Sequence, residues 1–198
     1  IDNYVHADSR YSQSINGNFY LGTDGYLSVS TDNCQTWNRY SGYGIREYYR
    51  VGLSYTKPWL NMCGSQDNGT SILDTTGWFE WNGGDGMEAV IHPLNENWMI
   101  GSWQFGNRNR TKDAGLTRKN VKHGGDPYWD APMLLDPNDH MTIYSFADEV
   151  YRTDSFGSSW TTLGTPAHFS DFIRDAAIAE NNSQKLALAS YNDIALTT

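Results

Sequence analysis

Ser30-Thr31-Asp32-Asn33-Cys34-Gln35-Thr36-Trp37 is the stretch that decides the fold. It carries a hydroxyl residue, an aspartate two positions on, a second hydroxyl and a tryptophan. Two short β-rich runs precede it, Phe19 to Thr23 and Tyr26 to Ser30. The phrase returns as Arg152-Thr153-Asp154-Ser155-Phe156-Gly157-Ser158-Ser159-Trp160, read with Asp154 opposite Asp32 and one extra residue before the tryptophan. Met141 to Phe146 and Glu149 to Thr153 precede that copy. Aspartate suits such a turn because its carboxylate accepts hydrogen bonds from N–H groups just ahead in the chain. Gly157 supplies a positive-φ position without steric cost.

Two weaker copies lie between. Ser71-Ile72-Leu73-Asp74-Thr75-Thr76-Gly77-Trp78 keeps the aspartate and a tryptophan, and Asn109-Arg110-Thr111-Lys112-Asp113-Ala114-Gly115 keeps the aspartate and the glycine. Asp32, Asp74, Asp113 and Asp154 thus fall about 40 residues apart, the length of a four-stranded propeller blade. Each unit opens with an apolar strand that runs into a turn, as in Ala89-Val90-Ile91-His92-Pro93 and Met133-Leu134-Leu135-Asp136-Pro137. A second short strand follows, and no segment sustains a helical period. The expected fold is all-β: a β-propeller with units near 1–42, 43–83, 84–125, 126–166 and 167–198, about four and a half blades. Ile1 to Gln13 reads as an inner strand without a predecessor, and Asn192 to Thr198 as a strand leading into one more turn. The expectation is therefore an incomplete segment of a larger ring. Its remaining blades come from the same or another chain, because open sheet faces and edges are costly.

Bulk properties exclude several function classes. A net charge of -9 argues against a nucleic-acid or anionic-membrane surface. No apolar stretch approaches the length of a membrane span, so no membrane insertion is expected. There is no initiator Met and no secretory apolar region, so a soluble piece with any signal peptide absent or removed is expected. The 8 Trp and 13 Tyr suit cross-strand packing, with stacking platforms for sugar rings as the alternative. Two cysteines, Cys34 and Cys63, are too few for a disulfide framework; one bridge or two small buried side chains remain open. No Ser-His-Asp, Walker or Cys/His metal signature occurs. The histidines are expected in turns or at the surface.

The repeated phrase resembles the Asp-box, or BNR motif, of bacterial sialidases, xyloglucanases and sortilin-type propellers: Ser/Thr-x-Asp-x-Gly-x-Thr-Trp. Tyr4-Val5-His6-Ala7-Asp8, Gly64-Ser65-Gln66-Asp67-Asn68-Gly69-Thr70 and Gly83-Gly84-Asp85-Gly86-Met87-Glu88 are similar to phrases of large secreted Bacteroidetes-type propellers, sortilin-like or xyloglucanase-like. Many of those are exported by type IX secretion. The resemblance implies an extracellular or cell-surface protein. It also implies that Asp32, Thr36, Trp37, Asp74, Asp113, Asp154, Gly157 and Trp160 are structural residues of hairpins between the outer two strands of each blade. Cys34 departs from the motif's glycine.

Propeller ligands bind at the mouth of the central channel, where the loops before each first strand converge. The binding candidates there are His6, Asp8, Asp85, Glu88, Asp126, Asp130 and Asp171. Their expected role is to satisfy loop N–H groups and arginines such as Arg46, Arg50 and Arg174. One alternative is calcium, for which Asp24, Asp67 and Asn68 also offer oxygen, although no EF-hand spacing is present. Another is an acid–base pair flanking a glycosidic bond. A sialidase needs an arginine triad on the substrate carboxylate; Arg108, Arg110 and Arg118 read instead as a solvated outer loop. The expected function is a non-catalytic extracellular platform for a protein or glycan partner. The alternative is a xyloglucanase-like glycoside hydrolase acting on polysaccharide, with Trp59, Trp98, Trp103 and Trp129 as sugar platforms. A second alternative is a structural unit of a surface adhesin or filament.

Overall fold

The computed structural model describes residues 4–40 and 46–197. Residues 1–3 and Thr198, which belong to the opening and closing strand readings, lie outside the described residues. The chain divides into two compact units, residues 1–47 and 48–198. Among the described residues no helix is long and apolar enough to cross a membrane.

The first unit holds one antiparallel sheet of β1 (Ser9–Ile15), β2 (Asn18–Thr23), β3 (Leu27–Ser30) and β4 (Asn38–Tyr40), in that order. Asn16 and Gly17, at φ 51° and 81°, make the two-residue turn between β1 and β2. Asn-Gly suits this turn because both central residues need positive φ.

The second unit holds four sheets, each laid down in chain order as an antiparallel meander. The first has β5 (Tyr48–Leu53), β6 (Asn61–Ser65), β7 (Gly69–Asp74) and β8 (Gly77–Asn82). The second has β9 (Gly86–Ile91), β10 (Met99–Trp103), β11 (Asn107–Thr111) and β12 (Lys119–Asn120). The third has β13 (Met133–Leu135), β14 (Ile143–Phe146), β15 (Val150–Thr153) and β16 (Thr161–Gly164). The last has β17 (Asp175–Ala179), β18 (Asn182–Ala189) and β19 (Ile194–Leu196).

Three apolar cores lie between successive sheets of this unit. Met62, Ile72 and Trp81 meet Ala89, Ile91 and Met99 in the first. Val90, Ile100 and Val121 meet Met133, Ile143 and Phe156 in the second. Tyr144, Phe146 and Val150 meet Leu186 and Leu188 in the third. Successive strand side chains point to opposite faces, so Met99 and Ile100 enter different cores. Covering both faces makes Met99 and Ile100 adjacent apolar residues on β10 rather than an alternating pair. Each such side chain contributes about 1.5–3 kcal/mol when fully buried. Two glycines let the backbones close up. A Cβ on Gly64 would stand 1.9 Å from the Met87 carbonyl oxygen, and one on Gly86 would stand 2.2 Å from that of Gly69.

The loops after β3 and β11 share one hydrogen-bond plan. In the first unit, Asp32 Oδ1 accepts the N–H groups of Gln35 and Thr36 at 3.1 and 2.9 Å, and Oδ2 accepts the Thr36 hydroxyl at 2.5 Å. Ser30 Oγ accepts the Cys34 N–H at 2.9 Å. These donors, the Thr36 hydroxyl foremost, hold the Asp32 carboxyl down at about 2. The loop after β11 repeats the plan with Thr111, Asp113, Gly115 and Thr117. It is a complete copy with Asp113 and Gly115 where the sequence places them, and it reads as a weaker one because Arg118 stands at the tryptophan position after Thr117. In both loops the two residues after the aspartate adopt positive φ: Asn33 and Cys34, then Ala114 and Gly115.

Two expected copies differ. After β15, Thr153 Oγ1 accepts the Gly157 N–H at 3.0 Å and Ser155 Oγ accepts the Ser159 N–H at 3.1 Å. Ser155 therefore occupies the aspartate position, the loop needs no extra residue, and Asp154 is displaced outward. There it pairs with Arg152 at 2.8 Å and accepts the Thr142 hydroxyl at 2.9 Å. The sequence reading took the nearest aspartate, one residue out of register. Asp74, by contrast, closes a two-residue hairpin, paired with Gly77 across the β7–β8 turn and capped by the Thr76 N–H at 2.7 Å. It belongs to a shorter turn because β7 and β8 stay paired to their ends.

In the second unit the loops after β11 and β15 fill the seams between sheets. Phe156 is fully buried in the second core, and the Trp160 indole N–H donates to the Val121 carbonyl at 2.8 Å. Trp37 is half-buried in the first unit. Of the three arginines expected in a solvated loop, Arg118 is exposed and the other two are buried and structural. Arg108 is wholly buried, and Arg110 is buried with its guanidinium on the Phe156 carbonyl and the Ser158 hydroxyl. Arg118 reaches the Trp81 carbonyl on the other side. They diverge to different sheets and form no triad.

Candidate functional site

In each sheet of the second unit, the incoming loop and the second-to-third strand turn lie at the same end, as the meander requires. There the polar side chains of the turns hold the incoming loops. Asp85 Oδ1 accepts the Asp67 N–H at 2.9 Å and the Gln66 amide at 3.2 Å. Gln104 Oε1 accepts the Asp85 N–H at 2.9 Å, and Asp148 Oδ1 accepts the Asp126 N–H at 3.0 Å. Tyr49 donates its hydroxyl to Gln66 Oε1 at 2.6 Å and receives the Trp129 indole N–H at 3.3 Å. Phe105 meets the Trp129 ring edge-on at 5.2 Å between centroids. Tyrosine, tryptophan, phenylalanine, amides and carboxylates thus converge in one place.

Glu88 sits on β9 itself rather than in the loop, and is buried. Its Oε1 lies 3.2 Å from Arg50 Nε on β5. Burial pushes the Glu88 carboxyl up to about 7, against the opposing pull of Arg50, the Met133 N–H and Arg108. Burial wins because the pairing is with one nitrogen of a partly exposed guanidinium.

A second buried network was not legible in the sequence. His123 Nδ1 lies 2.5 Å from the Gly124 carbonyl, which can only accept, so Nδ1 carries the proton. His123 Nε2 then accepts the Ser145 hydroxyl at 2.8 Å, and Ser145 Oγ accepts from Arg108. The imidazole stacks on Tyr151 at 3.9 Å between centroids. Burial, with the Arg108 charge second, brings His123 down to about 4. Ser145 has the neighbour of a nucleophile but is wholly buried, so no substrate reaches it. His123 and His92 lie in loops, within the turn-or-surface expectation, and both are buried. His92 Nδ1 accepts the N–H groups of Leu94 and Asn95, both at 3.1 Å. The same position in the first and third sheets is taken by Ser54 and Asp136, which cap their own loops alike.

Asp126 is exposed. Asp130 has a buried Oδ1 with no hydrogen-bond partner among the described residues. Asp171 accepts the Phe172 N–H at 2.7 Å. Arg174 lies over Tyr128 at 3.3 Å rather than on a carboxylate. Asn68 spends its amide on the Gln66 carbonyl. In the first unit, His6 Nδ1 and Asp8 Oδ2 lie 3.8 Å apart. Arg10 occupies both oxygens of Asp24, at 2.6 and 2.5 Å, which leaves that carboxylate poorly disposed to calcium. Trp98 packs in the second core, whereas Trp59 is half exposed. Cys34 is an exposed thiol and Cys63 a buried one.

No family model matches the chain, and no curated protein matches it in sequence. Among solved structures, the chain is similar in fold to the crystal structure of an ancestral GH74 enzyme, with a TM-score of 0.63 and 14% identity. The match covers 91% of this chain and 27% of that one, so the chain spans about a quarter of the enzyme's length. The likeness is one of all-β, propeller-type architecture.

Proposed function

We propose that the chain is part of a secreted or cell-surface β-propeller of the glycoside-hydrolase kind that acts on a polysaccharide. On this reading each sheet is a blade, and the recurring loops are Asp-boxes that lock one blade to the next. The likeness to a GH74 enzyme supports the class. The observation that carries the chemistry is Glu88, a buried carboxyl held at about 7 on β9, the strand that follows the Asp85 loop. Glycosidic cleavage needs one carboxyl that still carries its proton near working pH and a second that is ionised. Glu88 is the proton donor of this reading. Asp130, with a buried oxygen that lacks a hydrogen-bond partner among the described residues, is the second carboxylate.

The test is release of reducing ends from soluble β-glucans by the purified chain, against its Glu88→Gln variant. Hydrolysis that is lost in the variant, with glycan binding retained, supports the enzyme. A second reading, a non-catalytic glycan or protein platform, is favoured by Glu88 pairing with Arg50 and by Asp85 spending an oxygen on the Asp67 N–H. Glycan binding without hydrolysis by either form selects the platform; neither binding nor hydrolysis rejects the glycan readings.

A further inference from the structure

The first-to-second and third-to-fourth strand connections lie at the end of the sheets away from Glu88. There a cavity of about 340 Å³ opens between the first two sheets of the second unit. Its floor is apolar, from Leu60 and Ile72. Trp59 forms one wall and is 52% exposed, an unusual state for so large an apolar ring. Lys57 Nζ, from the β5–β6 connection, pairs with Glu96 Oε1, from the β9–β10 connection, at 2.5 Å. That pair ties the two loops together and lowers the Glu96 carboxyl from its ordinary value. Asp74 contributes a second ionised carboxylate, and the Asn97 carboxamide faces the cavity with no hydrogen bond among the described residues.

We infer that Trp59 and this cavity form a binding site for a neutral pyranose sugar, distinct from the Glu88 end. The apolar C–H face of a pyranose ring stacks on an indole, and its hydroxyls both donate and accept. Asp74 and Glu96 take hydroxyl hydrogens; Lys57 and Asn97 give hydrogens to hydroxyl oxygens. One cation against two carboxylates leaves the wall net negative, which disfavours uronic and sialic acids. The volume stands at the small end of ligand pockets, room for about two pyranose rings. The loops are already tied by the Lys57–Glu96 pair, so little ordering is needed on binding. The inference does not rest on the reading of Glu88.

The experiment is titration of the purified chain with cellotetraose and with a galacturonic-acid tetramer, read by NMR or calorimetry. Cellotetraose is expected to saturate, and Trp59→Ala to weaken it at least tenfold without a change in melting temperature. Asn97→Ala is expected to weaken it several-fold. The galacturonic-acid tetramer is expected to bind at least tenfold less tightly. Absence of saturable cellotetraose binding overturns the site. So does binding that survives Trp59→Ala but is lost in Trp129→Ala, which moves the sugar to the opposite end. Equal affinity for the acidic tetramer overturns the ligand class. Loss of hydrolysis in Glu88→Gln with Trp59-dependent binding intact separates the two sites.

Discussion

Ser155 Oγ accepts the Ser159 N–H at 3.1 Å, and the two hydroxyls lie 3.3 Å apart. An aspartate at the equivalent place in two other loops satisfies both a backbone N–H and a hydroxyl with two strong acceptor oxygens. Ser155→Asp is therefore expected to raise the melting temperature, by roughly 2–4 °C. Asp154→Ala should cost less than about 1 kcal/mol, since its contact with Arg152 is largely solvent-exposed. Thermal unfolding of the two variants checks the register of this loop; a larger loss from Asp154→Ala than from Ser155→Ala reverses the assignment.

Glu88 gives a stability that falls as pH rises. Its carboxyl is raised from 4.5 to about 7 in the folded chain, so the neutral form is preferred there. The contribution is complete below about pH 4.5 and is lost as pH climbs through about 7. Glu88→Gln has no such loss. Between pH 5 and pH 8 the variant should gain about 2–3 kcal/mol on the parent, measured by urea unfolding at each pH. Parallel curves for the two proteins would show that Glu88 does not titrate in this range.

His123 acts in the opposite direction. Its folded value, about 4, lies below the ordinary 6.5, so the unfolded chain binds the extra proton. Its contribution is complete above about pH 6.5 and is lost as pH falls towards 4, about 3 kcal/mol in all. Protonation would put two N–H donors on a ring whose Nε2 accepts the Ser145 hydroxyl. An NMR titration should place the His123 midpoint more than a full unit below that of an exposed histidine. A midpoint near 6.5 would mean that the imidazole reaches water.

Gly64 permits the close approach of β6 to β9. A methyl there would collide with the Met87 carbonyl at 1.9 Å, backbone against backbone, with no rotamer to yield. Gly64→Ala is expected to destabilise by about 3 kcal/mol. Gly124→Ala, where nothing lies within 4 Å, should stay within about 0.5 kcal/mol. Denaturant midpoints of the pair test whether the two sheets meet at the spacing described.

The sequence by itself determined the all-β character of the chain and the chemistry of its turns. Alternation along a strand, Asn16-Gly17, and a hydroxyl two residues before Asp32 act over a few residues, and short-range sterics and hydrogen bonds decide them. Tertiary structure alone decided which group each side chain meets. Asp154 and Ser155 are adjacent in sequence, and only the positive φ of Phe156 and Gly157 shows that the serine faces the Ser159 N–H. Arg108 looks like a surface charge in its local sequence and is buried because Ser145, from the neighbouring sheet, covers it. Glu88 departs from an ordinary carboxylate for the same reason: burial between strands distant in sequence sets the cost of its charge, and no local pattern records that distance.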